Sequence, residues 1–204
     1  WFHPSVDVQR QDNSDLYAFD GLSKFDIIQP GDLIHCDFGI SYLTLNTDTQ
    51  ELGYILKPGE TKAPEYLINA LKEGNRVQDI FTNNFVVGVS GNEILKKSLE
   101  EGRDEGLRPS IYTHPLGTYG HSAGTTIGMW DSQGGVPFTG DYPLQYNTAY
   151  AIELNTTVYI EEWKKDIRIM LEVPGFFGKD GFRYIKGRQT EYILIGPNQE
   201  GLTY

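Results

Sequence analysis

The chain has 204 residues, 39% hydrophobic and 22% charged, which suits one large globular domain and excludes a disordered or repetitive chain. Its formal charge of −11 and pI near 4.7 argue against nucleic acid or an anionic membrane as partner. No apolar run reaches the roughly 18 residues a membrane span needs, and the single cysteine, Cys36, excludes an intrachain disulfide and leaves the compartment open.

The chain opens on Trp1-Phe2-His3-Pro4 with no initiator Met, which reads as the interior of a longer protein. Pro4 to Val8 reads as a short strand and Arg10 to Asp15 as a polar stretch. After a Pro30-Gly31-Asp32 turn, Leu33 to Ile40 reads as a buried strand, and Leu45 to Leu56 as its hairpin partner, centred between Tyr42 and Leu43. Apolar residues at helical spacing predict a helix over Glu65 to Phe81. Ser90 and Glu93 fit a capping box that opens a second helix running to about Glu101. From Tyr112 the chain reads as strand and loop: a glycine-rich stretch from His114 through Asn147, then strands over Ala149 to Val158, Arg168 to Val173 and Glu191 to Ile195. Strands, two helices and strands again, with no clear linker, predict a single α+β domain.

Several carboxylates stand in apolar strand contexts. Asp37 lies within Ile34-His35-Cys36-Asp37-Phe38-Gly39, Glu153 within Tyr150-Ala151-Ile152-Glu153-Leu154, and Glu191 opens Tyr192-Ile193-Leu194-Ile195. A carboxylate buried there is costly unless it is paired or bound to a cation. The expected hairpin sets Asp48 opposite Asp37, close enough to share a cation. His114 and His121 lie seven apart among glycines that permit close approach to a ligand. Each residue alone has an ordinary structural reading: a turn aspartate, a loop histidine, or an acid paired with Arg168 or Arg188. His35 is read as a strand residue on or near the other face, and Cys36 as a small buried hydrophobe. Together, four carboxylates and one imidazole form an oxygen-rich donor set that suits Mn²⁺ or a similar divalent ion.

The ordered set resembles the pita-bread metallopeptidases, among them Xaa-Pro aminopeptidase, prolidase and methionine aminopeptidase. The segment GDLIHCDFG with Asp48 eleven residues after Asp37 resembles the first two ligands, and His114-x-x-Gly the metal histidine. His121 resembles the substrate-contacting histidine, and Ala151-Ile152-Glu153 and Gln189-Thr190-Glu191 resemble the two glutamate ligands. The resemblance runs from about residue 31 to 196. It implies a curved antiparallel sheet with helices on its outer face. It also implies two divalent ions, Mn²⁺ first with Co²⁺, Zn²⁺ or Fe²⁺ as alternatives, held by Asp37, Asp48, His114, Glu153 and Glu191. Asp48 and Glu191 would bridge the ions. Glu153 would also shuttle a proton, and His121 would bind the scissile carbonyl. The implied reaction is hydrolysis of an N-terminal peptide bond, of Xaa-Pro type, by a metal-bridging hydroxide.

The chain departs from the family pattern in ways that bear on specificity. Ser110 stands where proline-specific members have a second histidine, and Gln189 where they have an arginine. No histidine lies between His3 and His35 to serve the pocket. A methionine-type or general aminopeptidase is therefore the alternative, and an inactive binding module the alternative of another class. Trp130, Asp131 and Tyr142, in the long loop from Ser122 to Asn147, are candidates for the pocket wall, with ordinary loop packing as the rival reading. The family pattern also implies helices and a further domain preceding Trp1, a peptide as partner, and leaves a homodimer open.

Overall fold

The computed structural model describes residues 2–11 and 27–196, so most of the polar stretch Arg10 to Asp15 lies outside the described residues. Among the described residues, five strands come first: β1 (Phe2–Gln9), β2 (Leu33–Gly39), β3 (Ser41–Tyr42), β4 (Leu45–Asn46) and β5 (Thr49–Ile55). Helices α1 (Glu65–Asn83) and α2 (Gly91–Asp104) follow. The second half holds β6 (Pro109–Ile111), β7 (His114–Pro115), β8 (Thr148–Ile160), β9 (Lys165–Gly178), β10 (Gly181–Tyr184) and β11 (Ile193–Ile195).

The main sheet runs β1-β2-β5-β9-β8-β6, with β7 beside β8, β10 beside β9 and β11 beside β5. Every pairing is antiparallel except that of β11 with β5. The sequence misjudged β11: it begins at Ile193, so Glu191 precedes the strand.

Helix α1 extends two residues past the expected end, and its apolar stripe is buried at Leu67, Ala70, Leu71, Val77, Ile80 and Phe81. Helix α2 starts at the predicted capping box, where Ser90 Oγ accepts from Glu93 N and the Glu93 carboxylate accepts from Ser90 N. The stripe packs on β8 and β9. There, alternate residues Ile152, Leu154, Ile169 and Leu171 are almost fully buried in the shared core. Each such side chain contributes roughly 1.5–3 kcal/mol of burial. Gly74 permits the approach, since a Cβ there would lie 2.7 Å from Ile169 Cγ2.

Strand alternation then sets the function-bearing face. On β8 and β9 the residues between the core residues, Glu153 and Glu172 among them, point away from the helices.

The β2–β5 hairpin is shifted from the expected register. Leu43 takes a left-handed φ of 56°, so the turn is centred between Leu43 and Thr44 and Asp37 pairs with Gln50. Asp48 is therefore a diagonal neighbour of Asp37 on the same face.

A candidate metal centre on one row of the sheet

Strand register assembles the site. Asp37 on β2 faces Gln50 on β5, Gln50 faces Glu172 on β9, and Glu172 faces Glu153 on β8. Directly paired residues share a face, so these four side chains form one row across four strands. Asp48 joins the row two residues before Gln50. His114 joins it from β7, opposite Ala151, which shares a strand face with Glu153.

The donor atoms converge. His114 Nε2 stands 3.7 Å from Asp48 Oδ2, 3.7 Å from Glu172 Oε1 and 4.0 Å from Glu153 Oε2. These gaps exceed hydrogen-bond distance. Two donors that share one ion at about 2.0–2.2 Å would be roughly 3–4.3 Å apart, so the gaps suit a cation between them. Among the described residues, three triads have ligand atoms all within 4.8 Å of one another: Asp37-Asp48-Glu172, His114-Glu153-Glu172 and Asp48-His114-His121. His114 Nε2, Asp37 Oδ1 and Glu172 Oε1 are buried and have no hydrogen-bond partner. Such atoms are rare in folded proteins and need a partner. The donor set and these orphaned atoms fit a divalent metal centre.

The electrostatics agree. Burial pushes the carboxyl of Asp48 up to about 7, with the Asp37 charge adding to it. Burial raises Glu153 to about 8, against the lowering effect of a hydrogen bond from Gln50. Glu172 is raised by burial and then by Glu153, Asp48 and Asp37. Asp37 is raised by burial and then by Asp7, with His35 opposing. Like charges crowded out of water raise one another until a cation arrives. Burial lowers His114 to about 4, with His121 adding to it. The Nδ1 of His114 lies 3.2 Å from the carbonyl of Pro115. A proton on Nδ1 satisfies that carbonyl and leaves the Nε2 lone pair facing the carboxylates, the form a metal binds.

Four of the five expected ligands meet here: Asp37, Asp48, His114 and Glu153. Glu191 does not join them. It is exposed, lies outside β11 and belongs to none of the triads found among the described residues. The acid that occupies the row is Glu172, 1% exposed. Its signal was the one that revealed Asp37 and Glu153, a carboxylate inside an apolar strand, here Ile169-Met170-Leu171-Glu172-Val173. Gln189 serves the framework, its amide accepting from Leu52 N at 2.9 Å and donating to Leu52 O at 2.8 Å. Arg188 pairs with Asp79 and not with a site acid.

The sequence expected His35 on or near the other face. It points to the site face, two residues from Asp37 on the same strand, and its Nε2 lies 2.9 Å from Gln50 Oε1. Cys36 is half-buried beside it. His121 approaches His114 with ring centroids 4.2 Å apart, and Tyr112 stands 5.5 Å and 5.9 Å from the two rings.

A cavity of about 180 Å³ adjoins the row, lined by Asp7, His35, Ser110, Tyr112, Trp130 and Met170 among others. Trp130 is carried there by a pinned loop. Gln133 bonds both the N–H and the carbonyl of Ile111 at 2.9 and 2.8 Å. Gly128 takes φ +70° where a Cβ would lie 2.1 Å from Ile111 O. Of the other two loop candidates, Tyr142 and Asp131 are exposed and do not line this cavity.

A curved, almost wholly antiparallel sheet, two helices on one face and a metal-competent row of acids on the other define an α+β protein of the pita-bread fold. Solved structures share it. An X-Pro aminopeptidase from Thermotoga maritima matches with TM-score 0.69 and 18% identity over 95% of this chain. A methionine aminopeptidase from the same organism matches with TM-score 0.58 and 16% identity over 89% of this chain and 72% of its own. The N-terminal domain of FACT complex subunit SPT16 from Eremothecium gossypii matches with TM-score 0.67 and 12% identity, over 94% of this chain and 42% of that one. The chain spans about half of the X-Pro aminopeptidase, 49% of its length. No family model and no curated protein sequence matches it. Among the described residues no helix is long and apolar enough to cross a membrane.

Proposed function

We propose that the chain is the catalytic unit of a metal-dependent exopeptidase that hydrolyses an N-terminal peptide bond. The observation that carries this reading is the row of buried donors, with His114 Nε2, Asp37 Oδ1 and Glu172 Oε1 unpartnered and aimed at common space. The fold alone does not decide function, since one protein sharing it is a FACT complex subunit.

Asp37, Asp48, His114, Glu153 and Glu172 would hold two divalent ions, Mn²⁺ first on the chemistry of the donors. Bound there, the ions supply Lewis-acid activation and bring the proton of a water within reach of neutral pH. Glu153 is placed to move that proton, since it stands in the row beside Glu172 and lines the adjoining cavity where the peptide would lie. His121, beside His114, donates a hydrogen bond to the scissile carbonyl as negative charge develops. The adjoining cavity takes the N-terminal side chain of the peptide, with Trp130 and Tyr112 as its aromatic walls.

Xaa-Pro peptides are the first substrates to try, because proteins of that activity share the fold. A second reading, a methionine-type or general aminopeptidase, is favoured by the cavity lining. With Glu172 as the last acid, the residue two before it is Met170, and Ser110 stands where a second histidine would be. The test is hydrolysis of Xaa-Pro and Met-Ala peptides by Mn²⁺-loaded protein. Cleavage abolished by chelator and restored by Mn²⁺ is expected. Binding of Mn²⁺ without cleavage of any peptide would contradict the peptidase reading, and cleavage of Met-Ala peptides alone would overturn the Xaa-Pro preference.

A further inference from the structure

Gln50 sits in the row of acids yet carries no charge, and both ends of its amide are engaged. Its Nε2 donates to Glu153 Oε1 at 3.0 Å, and its Oε1 lies 2.9 Å from His35 Nε2. A ligand carboxylate only accepts, so the amide nitrogen must face Glu153. The amide oxygen then faces His35, whose Nε2 must be the donor. His35 is in turn 5% exposed, with its Nδ1 3.5 Å from Asp7 Oδ2. The hydrogen-bonded chain His35–Gln50–Glu153 thus runs along one wall of the cavity beside the row of acids, with Asp7 next to His35. Glu153 has one oxygen tied by Gln50 and the other, Oε2, turned toward His114 Nε2.

We infer that Gln50 is a positioning residue for Glu153, locked in that orientation by His35. Resting on the metal-centre reading, the inference adds a requirement that reading does not contain. Gln50 would itself hold no ion, yet the site that Glu153 would share with His114 depends on it. Hydrogen bonds of this kind orient ligands, and their loss typically weakens metal binding by roughly 10–100-fold.

The test is calorimetric titration of Mn²⁺ into the wild-type chain and the Gln50→Met, His35→Leu and double variants, with electron paramagnetic resonance of the bound Mn²⁺. Met keeps the volume of Gln and removes both polar contacts. In Gln50→Met, the ion that Glu153 would help hold weakens by roughly 10–100-fold and the other by less, through the bond Gln50 also gives Glu172. The spin-coupled signal of the pair then needs correspondingly more Mn²⁺. His35→Leu weakens the same ion by a smaller factor, because the freed amide can turn over. The double variant loses no more than Gln50→Met alone. His35→Leu leaves Gln50 in the chain and reads the same ion should Gln50→Met fail to fold. Two ions binding Gln50→Met with wild-type affinities would overturn the inference, as would an equal loss at both ions with a lowered melting temperature. A wild-type chain that binds no Mn²⁺ fails the metal-centre reading itself, and the inference with it.

Discussion

Replacing Glu172 with Gln separates the metal role of this acid from its effect on the fold, because the two move stability in opposite directions. Glu172 is 1% exposed and faces Glu153 and Gln50 across the sheet, with Oε1 3.7 Å from His114 Nε2. Without metal it is a buried carboxyl whose ionisation is opposed by burial and by Glu153, Asp48 and Asp37. An unpaired carboxylate held out of water typically costs several kcal/mol, and the like-charged neighbours add to that cost. Gln keeps the shape and removes that charge, so the metal-free Glu172→Gln chain should be more stable at pH 8. At about 2–4 °C per kcal/mol for a chain of this length, its melting temperature should rise by roughly 5–15 °C. Mn²⁺ at a hundred times its dissociation constant stabilises the wild type by about 2.7 kcal/mol, and this gain should vanish in the variant. Differential scanning fluorimetry with chelator and with Mn²⁺ reads both effects. Glu191→Gln, on the exposed segment before β11, should leave both untouched. A Mn²⁺ shift retained in Glu172→Gln, or lost in Glu191→Gln, would refute the assignment.

Three further predictions concern protons and turnover. Folded carboxyls near 7 and 8 hold protons that the unfolded chain has released, whereas His114, lowered from 6.5 to about 4, acts oppositely only below pH 6.5. From pH 6.5 to 8 the carboxyls act alone, so the metal-free chain should lose stability through that window, as denaturant unfolding at several pH values will reveal. Mn²⁺ binding at pH 7 should release protons, seen as a heat that varies with the ionisation enthalpy of the buffer. His121→Asn should lower peptide turnover by about 10²–10³-fold and leave Mn²⁺ affinity within a few-fold of wild type, read by steady-state assay and calorimetry.

Much of this centre was legible in the sequence because a carboxylate inside an apolar strand has few tolerable fates. Asp37 and Glu153 carried that mark, and the structure sets Asp37 with Asp48 and Glu153 with His114, with Glu172 common to both groups. Glu172 carries it equally, but the string Gln189-Thr190-Glu191 resembles the family's last glutamate more closely by its local context. That resemblance takes Glu191 for a strand residue, whereas β11 starts two residues later and pairs in parallel with β5. The hairpin register slipped for a local reason: Leu43 adopts a left-handed φ with no glycine or asparagine to announce it. The two-residue correction is what moves Gln50 opposite Asp37 and makes it a member of the row. His35, expected on or near the other face, shares the site face with Asp37 because residues two apart on a strand do. Trp130 reaches the cavity through the Gln133 and Gly128 anchors on Ile111, tertiary contacts that no local pattern encodes.

The most direct test of the central claim is a crystal of the chain soaked in Mn²⁺ and measured at the manganese absorption edge. The account predicts two anomalous peaks, bounded by carboxylate oxygens of Asp37, Asp48, Glu153 and Glu172 and by His114 Nε2, with Glu191 remote from both. Diffraction without a manganese peak among these residues, or with Glu191 as a ligand in place of Glu172, would contradict it.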